Sequence, residues 1–359
     1  MTSSDRTDSN YKFNELPLVF KKEMVSAHFI DPSGNPVKRP IEIRTNPITW
    51  RTCRITFSRN AEQERETDRL PLPPPDAADT DQCPFCFPQI RHRTPQLSSE
   101  LDSHGRTVVG KSILFPNLFP YGSYSAISLF DNNHFVEIGT ASCKSYNDSF
   151  VNCCNYLQQV AEHDPRSFYV AITQNHLPSA GGSLIHPHLQ VHADRIASNH
   201  HRFLKNRAMR YFEASGRFRY LFSDYLSHEK KDGTRYIGAT GDWEWMAAFA
   251  PEGFYELWGI LPGITSLRQL TPLLCEDLAR GILNTQRFYR SIFRNGYNLG
   301  VLCIENGATP LELRIVILAR SNYAPWVRND HTGYEVMLGD MATFTAPEET
   351  AAAARPFWL

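Results

Sequence analysis

Three histidines and a glutamine take alternate positions in GGSLIHPHLQVHAD, residues 181 to 194: His186, His188, Gln190 and His192. Ile185, Pro187, Leu189, Val191 and Ala193 fall between them. That is strand periodicity, with an apolar face for a core and a polar face carrying four side chains in a row. Imidazole titrates near pH ~6.5, so at neutral pH it is both a metal ligand and a nucleophile. A second chemical feature is Cys83-Pro84-Phe85-Cys86, whose two thiolates make half of a tetrahedral zinc site. No second Cys-x-x-Cys is present, so further ligands must be histidines, and His134 in LFDNNHF and one of the strand histidines are the candidates.

His186 and His188 share a strand face about 6.5 Å apart at the backbone, which leaves two readings. Both bind one catalytic zinc, which then needs another His, Asp or Glu at an open site. Alternatively one joins the cysteines while its neighbour stays free, and this reading uses ligands already present. A free imidazole attacking a phosphoryl group forms a covalent intermediate and divides one displacement into two. The metal is then architectural and holds the strand so that His188 points at phosphorus. Gln190 can donate an amide hydrogen bond to a phosphate oxygen but cannot supply a proton. Ala180-Gly181-Gly182 and the Ser183 hydroxyl bring further donors to the same phosphates.

The elements that must position these groups follow from pattern. Residues 1 to 40 read as a polar lead-in. IEIRTNPITWRTCRITFSR (41 to 59) reads as two strands around an Asn46-Pro47 turn, and LPLPPPDAADTDQ as an extended loop delivering the chain to CPFC. Two strands follow within 109 to 130, a helix over 145 to 162, a strand at 167 to 175, the histidine strand, and a helical stretch over 199 to 230. The order then repeats, with two strands in 242 to 263, a helix in 267 to 294, and strands at 297 to 306 and 311 to 322. In the second copy Arg314, Val316, Leu318 and Arg320 stand at the matching alternation, so one chemical site per chain is expected. A net charge of −1 with no basic arm argues against nucleic acid as a partner. No apolar run approaches a membrane span and no secretory signal is evident, so a cytoplasmic protein with reduced thiols is expected.

These residues resemble the galactose-1-phosphate uridylyltransferase family, a branch of the histidine-triad superfamily. Its His-Pro-His-x-Gln hallmark is present as His186-Pro187-His188-Leu189-Gln190, with Asn175, Gly181 and Ser183 at the family's spacing upstream. RTNPITWRTCRITFSR resembles the first-strand signature, with Arg59 thirteen residues after Asn46. CPFC followed by His134 matches the zinc pair, LFPNLFP resembles the loop on the nucleotide base, and GYEVMLGD resembles the segment that contacts the sugar. The resemblance covers roughly 41 to 345. It implies an α+β fold of duplicated histidine-triad-like halves, antiparallel sheets with flanking helices. The divisions expected are a lead-in at 1–40, a catalytic half with the zinc site at 41–200, a helical connector at 201–241 and a degenerate half at 242–359.

The implied activity is ping-pong transfer of a nucleoside monophosphate from a nucleoside diphosphate sugar to a phosphate or sugar phosphate acceptor, through a nucleotidyl-histidine on His188. Cys83, Cys86, His134 and His186 hold one structural zinc ion. Gln190 and Ser183 contact the phosphates, with Arg59, Asn175, Gly181 and Gly182 in the same site. Phe115, Asn117 and Phe119 form part of the base pocket. Tyr334 and Glu335 lie near the sugar of the partner subunit in a homodimer. Departures are visible too. The basic run after the first-strand arginine is replaced by NAEQER, and Leu184-Ile185 replaces Asn-Pro before the motif. SAGGSLIHPHLQ and GYEVMLGD are as similar to the nucleoside diphosphate sugar phosphorylase side of the family. The second copy lacks the histidines of a second metal site, and His200 and His201 read as surface residues. His192 is outside the family pattern, and is either an acid–base group or a solvated face residue. A phosphorylase, a nucleotide-anhydride hydrolase and an inactive zinc-containing nucleotide-binding protein remain the alternatives.

Overall fold

The structure, a computed structural model, describes residues 18–56, 69–322 and 333–359. It opens on a hairpin of β1 (Lys21–Ile30) and β2 (Pro36–Thr45), followed by β3 (Thr52–Thr56). The hairpin turn is built by Asp31, whose carboxylate accepts from the Ser33 and Asn35 backbone N–H groups at 2.9 and 2.8 Å. Residues 21 to 30 and 36 to 40 are therefore strand rather than the polar lead-in expected. Most of their side chains face solvent on both sides, so the apolar alternation that marks a half-buried strand never forms.

The first half continues with α1 (Ile90–Arg93), β4 (Thr107–Val109), β5 (Ser112–Pro116), β6 (Tyr124–Leu129), α2 (Cys143–His163), β7 (Tyr169–His176) and β8 (His188–Asp194). Two helices follow, α3 (Asn199–Ala214) and α4 (Leu221–Asp232), each shorter than the stretch read from sequence. The second half holds β9 (Tyr236–Thr240), β10 (Trp243–Ala247), β11 (Phe254–Leu261), α5 (Pro272–Ser291), β12 (Gly296–Ile304) and β13 (Leu313–Arg320). The described chain closes with α6 (Gly333–Leu338), β14 (Met341–Thr343) and α7 (Pro347–Ala354). Among the described residues no helix is long and apolar enough to cross a membrane.

Strands β4 to β13 form one ten-stranded sheet in the order β4-β5-β6-β8-β7-β12-β13-β11-β10-β9. Read from its centre outwards the order is the same on both sides, so the fold is α+β with two duplicated halves joined back to back. The seam is the antiparallel β7–β12 ladder, running from Tyr297 opposite His176 to Ile304 opposite Tyr169. One face carries the main core, where α2 and α5 pack on Leu189, Val191, Ile172, Val301 and Ile315. Beneath the seam a buried polar knot ties both helices to both strands. Tyr146 and Tyr297 share a 2.6 Å hydroxyl contact, Gln286 Nε2 donates to Tyr146 Oη at 2.6 Å, and Tyr146 Oη donates to Gln174 Oε1 at 3.0 Å. Burial pushes the Tyr146 phenol up to about 12, so the knot is uncharged at neutral pH.

The opposite face is covered unevenly. Over the second half, α3 and α4 bring Leu204, Tyr211, Phe222 and Tyr225 onto Met246, Trp258 and Ile260. Over the first half, among the described residues, a smaller cluster forms, with Cys83, Phe85, Cys86 and Ile90 packed on Phe115, Ile127 and Leu129. Beside that cluster, His188 is buried against Phe85, while Gln190 and His192 on the same face are half-buried.

The separate four-stranded sheet, β1-β2-β3-β14, is fastened to this body by charge. Glu348 on α7 accepts from Arg44 Nη2 at 2.7 Å and from Arg235 Nη1 at 2.8 Å, and both arginines are buried. Burial raises the Glu348 carboxyl, but the two guanidinium groups more than offset it, and the group lies below the ordinary carboxylate range. Glu348→Ala takes a shared carboxylate from two buried cations, leaving Arg44 with Glu42 and Arg235 with Glu229, and is expected to lower stability at pH 7 by about 2 kcal/mol, read as the urea unfolding free energy. The wild-type advantage is full above the unfolded carboxylate pKa of 4.5. It shrinks as pH falls through the lower folded value. An advantage that does not change with pH would show that charge is not what fastens the sheet.

Candidate active site

Cys83 and Cys86 are presented by a tight turn in which Cys86 N–H donates to the Cys83 carbonyl at 3.3 Å. His134 comes from the loop after β6, and His186 from the chain just before β8. The ligand atoms of these four residues lie within 4.8 Å of one another. The Nδ1 of His134 is 3.3 Å from Cys86 Sγ, and that of His186 is 3.5 Å from Cys86 Sγ and 3.8 Å from Cys83 Sγ. In a tetrahedral zinc site with Zn–S and Zn–N bonds of about 2.3 and 2.1 Å, sulfur and nitrogen are separated by about 3.6 Å. The observed contacts bracket that value.

The second layer fits as well. His134 Nε2 contacts the Asp76 carbonyl at 3.0 Å and His186 Nε2 the Asp131 carbonyl at 3.1 Å. A carbonyl only accepts, so each Nε2 carries the proton and each Nδ1 lone pair faces the sulfurs. Burial, then the neighbouring Cys83, pushes the Cys86 thiol up to about 12. Two thiolates side by side here require a cation to balance them. The group can therefore hold a metal ion of the kind that takes mixed sulfur and nitrogen ligands.

The sequence pattern placed His186 within the strand, whereas the ladder begins at His188. Pro187 has no N–H to give to it. That break lets the two histidines part. The His186 ring turns into the cysteine cluster, while His188 enters the strand with its ring edge against Phe85, centroids 5.4 Å apart. His188 Nδ1 contacts the His186 carbonyl at 2.7 Å, so Nδ1 is protonated and the Nε2 lone pair is left free. Nε2 has no hydrogen-bond partner among the described residues. Burial lowers the imidazole below its ordinary value, partly offset by the bond to the His186 carbonyl, which keeps the ring neutral at pH 7.

Gln190 follows His188 on the same face and is half-buried. The loop between β7 and β8 closes over the same end of the sheet. Leu177 takes a positive φ of 72°, a conformation unusual for a side chain of its kind. Gly181 has φ +85°, and a Cβ on Gly182 would lie 3.0 Å from the carbonyl oxygens of Asn175 and Leu177. Both glycines are required by the backbone path. Ser183 is exposed, and Asn175 Oδ1 accepts from Asn298 Nδ2 at 2.7 Å.

Phe115 is buried on the site face, in the cross-strand row Phe115, Ile127, Gln190. Asn117 begins the loop beyond β5, where its N–H donates to the Ser125 carbonyl at 2.9 Å and its Oδ1 accepts from Phe119 N–H at 3.1 Å. Phe119 is 75% exposed, so its ring is available for stacking. Tyr334 and Glu335 sit on α6 beside β14, with Tyr334 Oη 3.5 Å from Asp340, on the other sheet from His188. Arg59 and the NAEQER run lie outside the described residues.

The surface reading of His201 fails. His201 is buried rather than on the surface, with Nε2 2.9 Å from the Val170 carbonyl and Nδ1 2.8 Å from Ser198 Oγ at the α3 N-terminus. Its neighbour His200 is exposed. Helix periodicity turns adjacent residues in different directions, and an isolated pair of histidines does not reveal which faces inwards. The pattern of motifs also missed Asn298. This residue of the second half holds Asn175 and donates to the Ala180 carbonyl at 2.8 Å, while Arg320 Nη1 donates to its Oδ1 at 2.7 Å. No sequence signal marks it, because its partners are brought to it by the seam.

No family model matches the chain. A curated protein of Archaeoglobus fulgidus, described only as uncharacterized, is 29% identical over 352 residues, which is 95% of this chain and 99% of its own. An ADP-glucose phosphorylase from Arabidopsis thaliana, crystallised with ADP-glucose bound, superposes with a TM-score of 0.67 at 19% identity, covering 88% of this chain and 98% of its own. A galt-like protein from the same plant gives 0.65 at 18%, covering 87% and 98%. A uridylyltransferase gives 0.62 at 17%, covering 88% and 98%. The chain has the fold of these three proteins, over nearly their whole length.

If the four-residue cluster holds a metal, elemental analysis of purified protein should find about one equivalent. Cys83→Ser should lose it and lower the melting temperature together, because the ligands join distant segments. A full equivalent retained by that variant would remove Cys83 from the ligand set.

Proposed function

We propose that this chain is a nucleotidylyltransferase that takes a nucleoside monophosphate from a nucleoside diphosphate sugar and passes it to a phosphate acceptor by way of His188. The observation that carries the reading is the His188 ring, neutral, protonated at Nδ1 by its bond to the His186 carbonyl and open at Nε2. A zinc ion held by Cys83, Cys86, His134 and His186 would supply architecture, tying the CPFC turn and the β6 loop to the start of β8.

In the first half-reaction Nε2 forms a bond to the α-phosphorus, the bond from that phosphorus to the bridging oxygen breaks, and the sugar 1-phosphate leaves with the electron pair. Nδ1–H stays on the His186 carbonyl and shares the positive charge that develops on the ring. The leaving oxygen belongs to a phosphate, so it departs as an anion and needs little protonation. Gln190 steadies the phosphates as a donor, and Ser183, Gly181, Gly182, Asn175 and Arg59 complete the phosphate site. In the second half-reaction an acceptor phosphate oxygen bonds to the same phosphorus, and the N–P pair returns to Nε2. Phe115, Asn117 and Phe119 take the base.

Tyr334 and Glu335 reach the sugar of the partner subunit in a homodimer. This is supported by the apolar residues Val336, Met337 and Leu338 that α6 leaves exposed. The catalytic half is 41–200, the helical connector 201–241 and the degenerate half 242–359. A second reading, phosphorolysis with inorganic phosphate as acceptor, keeps the same first half-reaction and is favoured by the ADP-glucose phosphorylase among the structures of this fold.

Intact-protein mass spectrometry after incubation with a panel of nucleoside diphosphate sugars should show a nucleoside monophosphate adduct on wild type. None should form on His188→Ala, whose metal content should equal wild type. An adduct on the variant would remove His188 as nucleophile. Hydrolysed donor with no transfer to any phosphate would replace transfer by hydrolysis. Sedimentation should show a dimer, and a monomer at assay concentration in an active preparation would sink the shared sugar site.

A further inference from the structure

We propose that His192 is the residue that reads the nucleoside: it hydrogen-bonds the base or ribose of the bound nucleotide, and takes no part in proton transfer. This rests on the reading above that His188 receives the α-phosphate.

His192 lies on the same face of β8 as His188 and Gln190, four residues from His188, which along a strand is about 13 Å. A proton donor for the leaving oxygen must reach an atom bonded to the phosphorus that His188 attacks, and so must stand within hydrogen-bond reach of it. Side chains on one face of a strand stand parallel, so the offset at the backbone persists at the rings. His192 is too far along the strand to act as that acid. Nor is it a solvated residue of the sheet face. It is half-buried, and its Nδ1 is 3.2 Å from the hydroxyl of Ser125, itself buried on the neighbouring strand. Its Nε2 has no partner among the described residues.

What surrounds that nitrogen identifies its ligand. Ser125 is opposite His192 in the β6–β8 register, and the carbonyl of the same Ser125 accepts from Asn117 N–H. The loop that carries Asn117 and Phe119 therefore springs from the His192 row of the sheet, one row beyond Phe115 and Gln190. The end of β8 anchors that loop too, since Asp194 accepts from Ser123 N–H at 3.2 Å. Leu118, Phe119 and Tyr121 all stand exposed on it. On the other side β7 puts only Ala171 opposite His192, which leaves room over the imidazole. A flat apolar group can thus lie against the loop while a fixed imidazole meets its polar edge. With the α-phosphorus at His188, the ribose and base are the parts of a nucleotide that extend this far. Burial lowers the His192 imidazole below its ordinary value, so it meets the ligand as a neutral ring with either a donor or an acceptor at Nε2. In either tautomer the ring offers one polar atom, which matches the donor and acceptor pattern of some bases and not of others.

The test is calorimetric titration of wild type, His192→Ala and Ser125→Ala with AMP, GMP, CMP and UMP. We expect wild type to prefer one base. His192→Ala should bind that nucleotide about tenfold more weakly and narrow the spread among the four. Ser125→Ala, which keeps the imidazole but frees it, should shift both quantities the same way and less. If His192→Ala is poorly folded by its melting curve, His192→Gln takes its place with the same expectation. Unchanged affinity and base order in a folded variant would overturn the inference, as would a wild type that binds none of the four. In turnover, His192→Ala should raise KM more than it lowers kcat. A fall in kcat with unchanged nucleotide affinity would make His192 a proton donor instead. A wild type that binds nucleotide yet never labels His188 would sink the transfer reading, while the affinities would still judge His192.

Discussion

His186 is bound at both ends, and the geometry of the site depends on it. Its ring joins Cys83, Cys86 and His134, while its backbone carbonyl accepts the Nδ1–H of His188. The first contact fixes where the strand begins, and the second fixes the tautomer and plane of the neighbouring imidazole. A nucleophilic histidine needs a free lone pair at a defined place, and a ring held only by packing could flip. Pro187 between them makes the division possible. Without an N–H it interrupts the ladder for one residue, and that interruption lets consecutive polar-face histidines point to different places.

The second half braces a loop of the first. At the register where β8 carries its histidines, β13 carries Arg314, Val316, Leu318 and Arg320. Arg314 lies against the rings of Trp258 and Phe222, at 4.2 and 4.7 Å, and Arg320 holds Asn298, which in turn holds Asn175 and the Ala180 carbonyl. The loop with the left-handed Leu177 and the close-packed Gly182 is therefore braced from across the seam. A conformation of that kind costs about 1–3 kcal/mol and persists only where surrounding contacts enforce it. The β7–β12 ladder and the tyrosine–glutamine knot beneath it provide that enforcement.

The two halves also differ in what covers them. α3 and α4 close the second half with aromatic and aliphatic side chains, whereas the first half, among the described residues, has the CPFC turn over Phe115, Ile127 and Leu129. A single continuous sheet thus supplies both a rigid base and an open surface. The apolar loop residues 118, 119 and 121 border that surface at the far end from the cysteine cluster. In the proposed function the site runs along β8, with phosphate chemistry at His188 and the nucleoside towards His192.

Much of this was legible in the sequence, because strand and helix periods are local. The alternation in 188–194, the paired order of strands around a long helix and the CPFC pair each follow from side chains a few residues apart. The hairpin at 21–45 was less legible, since a strand exposed on both faces carries no period to read. Tertiary structure alone decided that His201 is buried, that Asn298 braces a loop over a hundred residues away, and that His192 meets Ser125. Each depends on which strands lie side by side. That is set by the packing of two halves across a seam, and no window of sequence contains both sides of it.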